Sequence, residues 1–307
     1  MRLLIDTDTA SDDAVALVLA ARHPGARIAA VTTVAGNVPL AQATRNAAVT
    51  LSLAGAADVP LHAGCDRPLL RAPRTAQHVH GDDGMSGVAL PAPDVAAGDD
   101  HAVDVLLRLA APDVTLVTLG PLTNVAAALL RDRSLLGRFR HVYCMAGAAD
   151  AVGNITATAE YNVWADPEAA AIVCEAATPG TVTWIGWDAS RLDAVMTPER
   201  QARLRGLGTP LAAFADGINA AVDRWALAVT GLAGYDLPDP LAMAVALRPD
   251  LVRDAEVVPV RVAVGDEARG QLLVDRRRSA ADPNLTLVRR VDGDAFFALL
   301  LDACGGA

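Results

Sequence analysis

The chain reads as a single large α/β domain built on a mostly parallel, doubly wound sheet, and three observations predict it. Short apolar runs recur at Leu3–Ile5, Ile28–Val34, Val114–Leu119, Val142–Met145 and Val182–Ile185. Such brief, continuously apolar runs suit strands buried on both faces. Between them lie Ala-, Leu- and Val-rich stretches of helical length, and strand–helix alternation is the pattern of a parallel sheet with helices on both sides. Polar and glycine residues follow the runs directly: Asp6 and Asp8 the first, Gly36-Asn37 the second, Gly120-Pro121 the third, Ala146-Gly147 the fourth. The carboxyl ends of parallel strands are where such sheets carry their sites.

Taken in order, the first strand leads through Asp6-Thr7-Asp8-Thr9-Ala10 into a helix for which Ser11 is the expected N-cap, with Asp12 and Asp13 in its first turn. Thr44 and Asn46 fall on the helix after Asn37 and read as structural. The segment from about Met196 to Arg224 has a helical pattern, Val257 to Val274 reads as a late hairpin, and a final helix is expected over Asp294 to Ala303. No repeat and no linker composition interrupts residues 1–307, so one domain is expected, and a hydrophobic content of 52% is enough for a large core.

A formal charge of -10 excludes a phosphate-backbone partner, since nucleic-acid binding needs clustered cations. The longest basic run, Arg276-Arg277-Arg278, reads as a solvated loop. Cys65, Cys144, Cys174 and Cys304 are widely spaced without a C-x-x-C pair, which fits reduced thiols in a cytoplasmic protein. The N-terminal apolar run is too short for a signal-peptide core, and no apolar stretch reaches membrane-spanning length without a polar break.

The chemistry concentrates in the first strand–helix junction, which carries Asp6, Asp8, Asp12 and Asp13. A helix N-terminus accounts for one or two acids there. It does not account for Asp6 and Asp8 at a buried strand end, which would repel the others unless protons or a cation neutralised the group. A hard cation with oxygen ligands, Ca²⁺ foremost, answers that need. A strand-end Asp-x-Asp also occurs in haloacid dehalogenase-type phosphatases, but that reading leaves Asp12-Asp13 and every later polar motif unused.

Those later motifs bring a family into view. Asp6-Thr7-Asp8 with Asp12-Asp13 resembles the N-terminal signature of inosine–uridine-type nucleoside hydrolases. The likeness continues in order through Thr32 to Val38, His80 to Gly84, Leu119 to Asn124, Gly153-Asn154, Glu160 to Asn162, Asp166 to Ala170 and Asp239 to Ala242. Arg269-Gly270-Gln271 to Asp275 and Pro283-Asn284 are similar to the family's closing elements, so the resemblance covers essentially the whole chain. It implies Ca²⁺-dependent hydrolysis of the N-glycosidic bond of ribonucleosides, in nucleoside catabolism or base salvage, by a homodimer or homotetramer. Asp8, Asp13, Asp239 and the main-chain carbonyl of Leu119 would hold the ion, and Asp8 would take the proton of the attacking water. Asp12, Asn37, Asn154, Glu160 and Asn162 would bind the ribose hydroxyls, with Tyr161 backing the sugar and Asp6 positioning its neighbours.

One departure bears on the leaving group. Many members carry a histidine directly before the last calcium aspartate, where this chain has Pro238, and proline has no proton to give. His80 becomes the candidate acid, with His78 its neighbour. Tyr235, Trp187 and Trp225 have rings that could stack on a base, though a core role is the default for each. Without that histidine, a nucleoside-binding protein with weak or no turnover is the alternative, and the intact aspartate set speaks against it.

Overall fold

The computed structural model describes residues 1–278 and 281–305. Its strands are β1 (Arg2–Thr7), β2 (Arg27–Thr33), β3 (Leu61–Ala63), β4 (Ala97–Gly98), β5 (Val114–Thr118), β6 (His141–Met145), β7 (Val182–Ile185), β8 (Val195–Met196), β9 (Tyr235–Asp236), β10 (Val252–Val258), β11 (Val260–Val262), β12 (Leu272–Val274) and β13 (Leu285–Val291). Nine of them form one sheet in the order β10-β13-β7-β6-β5-β1-β2-β3-β4, parallel throughout except where β10 runs against β13 at the edge.

Strand alternation divides β1 between two cores. Leu3 and Ile5 join Val31 and Val117 under α1 (Ser11–Arg22), α2 (Leu40–Leu53) and the helices Pro238–Leu247 and Gly293–Gly305. Leu4 joins Ala30, Leu116, Val142 and Trp184 under the helices Ala102–Leu109, Thr123–Arg131 and Pro167–Ala176. That double cover is why the central runs are apolar without a break. The chain winds outward from β1 to β4 and returns to lay β5 beside β1, so strand order reverses between β1 and β5. Asp6 sits in register with Thr32 on β2 and Thr118 on β5, which puts the acidic junction at the switch point where open α/β sheets form crevices.

Two local expectations are corrected. The hairpin is shorter than Val257 to Val274: only Val260–Val262 and Leu272–Val274 pair, while Val257 and Val258 belong to β10 in the main sheet. β13, parallel to β7, was not expected at all. Both strands lie toward the sheet edge and carry charged residues, Arg253, Asp254 and Glu256 on one and Arg289 and Arg290 on the other, so neither shows the buried-strand run that marked the rest. Ser11, for its part, is the first residue of α1 and not its cap. Ala10 takes that place, and Asp13 Oδ2 accepts its backbone N–H at 3.0 Å.

The strand ends around the switch point are tied by one buried amide. Asn124 donates through Nδ2 to Asp6 Oδ1 at 2.8 Å and to Thr33 O at 3.0 Å, and its Oδ1 accepts Cys65 N–H at 2.8 Å. Gly64 lies so close that an added Cβ would strike the same amide. Asn124→Ala would strand these groups in a dry interior, and a loss of about 3 kcal/mol of unfolding free energy is expected from urea titration.

Candidate active site

Asp12 and Asp13 occupy the first turn of α1, and Asp239 the first turn of the helix Pro238–Leu247. The two helices pack on each other and aim their N-terminal dipoles at one place, which favours negative charge there. Carboxylate oxygens of Asp12, Asp13 and Asp239 lie within 4.8 Å of one another. Asp13 is the hub. It is within hydrogen-bonding reach of the carboxyls of both Asp8 and Asp239, and it accepts from Thr7 Oγ1 at 2.5 Å and Asn37 Nδ2 at 3.4 Å. Asp8 is held by a short bond from Asn37 N–H to Oδ2, 2.6 Å, while its Oδ1 is buried with no partner.

No arginine among the described residues pairs with this group. Burial first, and the neighbouring carboxylates next, raise the pKa values of Asp8, Asp12 and Asp239 well above the usual range. Burial also lifts Asp6 to about 6, against hydrogen bonds from Thr32 and Asn124. The donor set fits a hard divalent cation: all oxygen, multiply anionic, and lacking any protein counter-charge.

Asn37, Asn154, Glu160, Tyr161 and Asn162 line the same cleft as Asp12 and Asp239. Glu160 caps the short helix Tyr161–Ala165, accepting from Asn162 N at 2.6 Å, Gly147 N at 2.8 Å and Val163 N at 3.3 Å, and burial raises its pKa to about 7. Asn162 Nδ2 donates to Leu119 O at 2.6 Å, so that carbonyl, just past the end of β5, is turned toward Asn162 and retains a second lone pair. Asn162 Oδ1 and Asn154 Oδ1 are buried without partners, as is Asp12 Oδ1. The Tyr161 hydroxyl donates to Arg74 O at 2.6 Å, leaving its ring on the cleft wall.

His80 ends α3 (Gln77–His80), lines the cleft, and has Nδ1 2.8 Å from Ser11 Oγ. Burial lowers its pKa to about 4 despite nearby Asp13. Trp187, Trp225 and Pro238 also face the cleft, whereas Tyr235 is core at 2% exposure. Thr44 and Asn46 do not line it. Sequence reasoning passed over Val79, Met145, Ile155, Val222 and Asp236 as wall residues. Met145 ends β6 and followed the strand-end rule. Asp236, lifted by burial to about 6 and bonded to Ser190, stood three residues before Asp239 with no pattern to mark it.

Residues 3–298 match the family model described as inosine-uridine preferring nucleoside hydrolase. The chain belongs to that family. It is 36% identical to the inosine-uridine preferring nucleoside hydrolase of Crithidia fasciculata, over 98% of this chain and 96% of that one. With the pyrimidine-specific ribonucleoside hydrolase RihA of Shewanella sp. (strain MR-7) it shares 35% identity over 98% and 95%. The solved purine-preferring ribonucleoside hydrolase from Gardnerella vaginalis superposes with a TM-score of 0.91 at 28% identity, covering 99% of this chain and 98% of that one. This nucleoside hydrolase family member is therefore an enzyme acting on N-glycosyl compounds, and the phosphatase reading falls.

Two glycines set the position of Asp8. A Cβ on Gly36 would overlap its Oδ2, and one on Gly120 would sit 2.6 Å from its Oδ1, whereas Gly137 has open space around it. Gly36→Ala should weaken divalent-cation binding at least ~10-fold by calorimetry, because the Asp8 carboxylate must move away from its place beside Asp13 in the cluster, while Gly137→Ala should not.

The raised carboxyls also set a pH dependence. A group whose folded pKa lies above its unfolded value binds more protons in the folded state, so its contribution favours folding at low pH and is lost as pH rises through the folded pKa. Asp236 and Asp6 at about 6 and Glu160 at about 7 place that window. Metal-free protein should lose thermal stability as pH rises from ~4, where these carboxyls ionise in the unfolded chain, to ~7, the highest of the folded values, and a saturating divalent cation should flatten the curve.

Proposed function

We propose that this chain is a Ca²⁺-dependent ribonucleoside hydrolase that frees a purine or pyrimidine base, and ribose, by attack of water at the anomeric carbon. The observation carrying this reading is the set of buried acceptors that lack donors: Asp12 Oδ1, Asn154 Oδ1 and Asn162 Oδ1 on residues that line one cleft, and Asp8 Oδ1 beside Asp13 in the adjoining cluster. Buried polar groups are normally satisfied. A cation and a polyhydroxylated sugar together supply what these lack, and a base alone would not.

Asp8, Asp13, Asp239 and the Leu119 carbonyl would hold the ion, with Asp12 at the edge of the same cluster. A bound Ca²⁺ there would offset the crowded charge and lower the pKa of a water. Asp8, fixed through Oδ2 by Asn37, keeps Oδ1 to accept that water's proton. Asp12, Asn37, Asn154, Glu160 and Asn162 take the ribose hydroxyls, and Tyr161 backs the ring. As positive charge grows on the sugar in the transition state, the carboxylates stabilise it. His80 takes the leaving-base side, in the cleft that Val79, Val222 and Trp225 also line. The same reading places the enzyme in the cytoplasm as a homodimer or homotetramer.

Base release followed by chromatography tests the reading on two fronts. Exhaustive chelation should abolish turnover of inosine and uridine, and Ca²⁺ should restore it; full activity in calcium-free enzyme would refute the metal assignment. The 2′-deoxynucleosides should react at least ~100-fold more slowly, because a site built to bond a hydroxyl leaves buried groups unpaired when it is missing. Comparable rates for deoxyinosine and inosine would refute the ribose assignment.

A further inference from the structure

Ser11 is fully enclosed in the first turn of α1, and among the described residues its hydroxyl has no hydrogen-bond partner but His80 Nδ1, at 2.8 Å. A serine hydroxyl carries one hydrogen and can also accept. If Nδ1 were the donor, the Ser11 hydrogen would be left unspent in a dry interior, which is the unfavourable case. Ser11 is therefore the donor and Nδ1 the acceptor. A neutral imidazole that accepts at Nδ1 carries its hydrogen on Nε2. Among the described residues Nε2 has no protein partner, and it is not one of the enclosed atoms left unsatisfied, while the ring lines the cleft, so the Nε2–H opens onto the cavity.

We propose that Ser11 is a positioning residue that holds His80 as the Nε2–H tautomer, so that the enzyme offers the departing base a hydrogen-bond donor and selects ribosides whose base presents a ring nitrogen or carbonyl oxygen to it. The base half of this rests on the hydrolase reading; the tautomer half does not.

The backbone around the pair is braced to keep it so. One amide, Asn46 Nδ2, donates to Thr9 O and to Asp83 O, both at 2.9 Å. It thus joins the loop two residues before Ser11 to the loop three residues after His80. Ser86 N–H donates to His80 O at 2.9 Å. Asp12 Oδ1 lies 3.9 Å from Nδ1, beyond hydrogen-bonding range, and does not compete with Ser11. Ser11 is also the residue next to Asp12, so the base donor and the carboxylate cluster are spaced by one short piece of chain. When the bond from C1′ to the base nitrogen breaks, its electron pair goes to the base. The Nε2–H then bonds the acceptor on which charge gathers; the proton stays on His80, and the released base is protonated by solvent.

Nitrogen-15 NMR of the calcium-loaded full chain decides the tautomer. The expected result is a protonated Nε2 and an unprotonated Nδ1 on His80 in the wild type and in Ser11→Thr, with the preference lost in Ser11→Ala. In parallel, kcat/KM for inosine or uridine, taken relative to p-nitrophenyl riboside, should fall about tenfold in Ser11→Ala, the size of one lost hydrogen bond, and recover in Ser11→Thr. In a His80→Ala background the serine change should have no further effect on that ratio. A proton on Nδ1 in the wild type overturns the proposal, and so does an unchanged ratio in Ser11→Ala. A wild type that shows the Nε2–H tautomer but frees no base from any riboside overturns the hydrolase reading and the base half with it, leaving the tautomer assignment standing.

Discussion

The repulsion among Asp8, Asp12, Asp13 and Asp239 is the constraint around which this molecule is arranged. Four carboxylates in a dry crevice cannot all ionise without compensation, and the fold meets part of that need with fixed dipoles. Two helix N-termini converge on the group, and Thr7, Ala10 and Asn37 donate hydrogen bonds to it. What these donors do not neutralise is what a cation would. The site is accordingly costly to the empty protein and useful to the loaded one, the usual trade between stability and function.

That constraint explains features otherwise unconnected. Gly36 and Gly120 lack side chains because the Asp8 carboxylate fills the space a Cβ would take. Asn124 clamps the strand ends so that Asp6 and the residues after it leave β1 at a fixed angle. Asn162 holds the Leu119 carbonyl to the same crevice. Each is an ordinary polar or small residue whose job is visible only from what lies opposite.

The residues proposed to hold the ribose are carboxylates and amides, whereas much of the remaining lining of the cleft is apolar or aromatic, Val79, Ile155, Trp187, Val222 and Trp225, with His78, His80 and Asp236 among them. Pro238 adds rigidity at the head of its helix and nothing to proton transfer. In the proposed reading the polar contact to the base lies on α3, at His80, whose Nδ1 is 2.8 Å from the Ser11 hydroxyl of α1.

Much of this was legible in the sequence, for a physical reason. Central parallel strands buried on both faces must be apolar without alternation, so β1, β2, β5, β6 and β7 declared themselves, and strand ends pointed to Asp8 and Asn37. Asp8, Asp12 and Asp13 share one short segment, where crowding alone signals a site. The edge strand β10 and its neighbour β13 gave no such signal, because both are partly open to solvent and admit charges into the pattern. Only the tertiary structure could bring Asp239, which the family resemblance alone had implied, against Asp12 and Asp13, line one cleft with Asp236, Val222 and Trp225, and pair the Ser11 hydroxyl with His80 Nδ1 and not with a helix end. Those contacts span many residues along the chain, and no local periodicity records a partner that folding brings in from a distance.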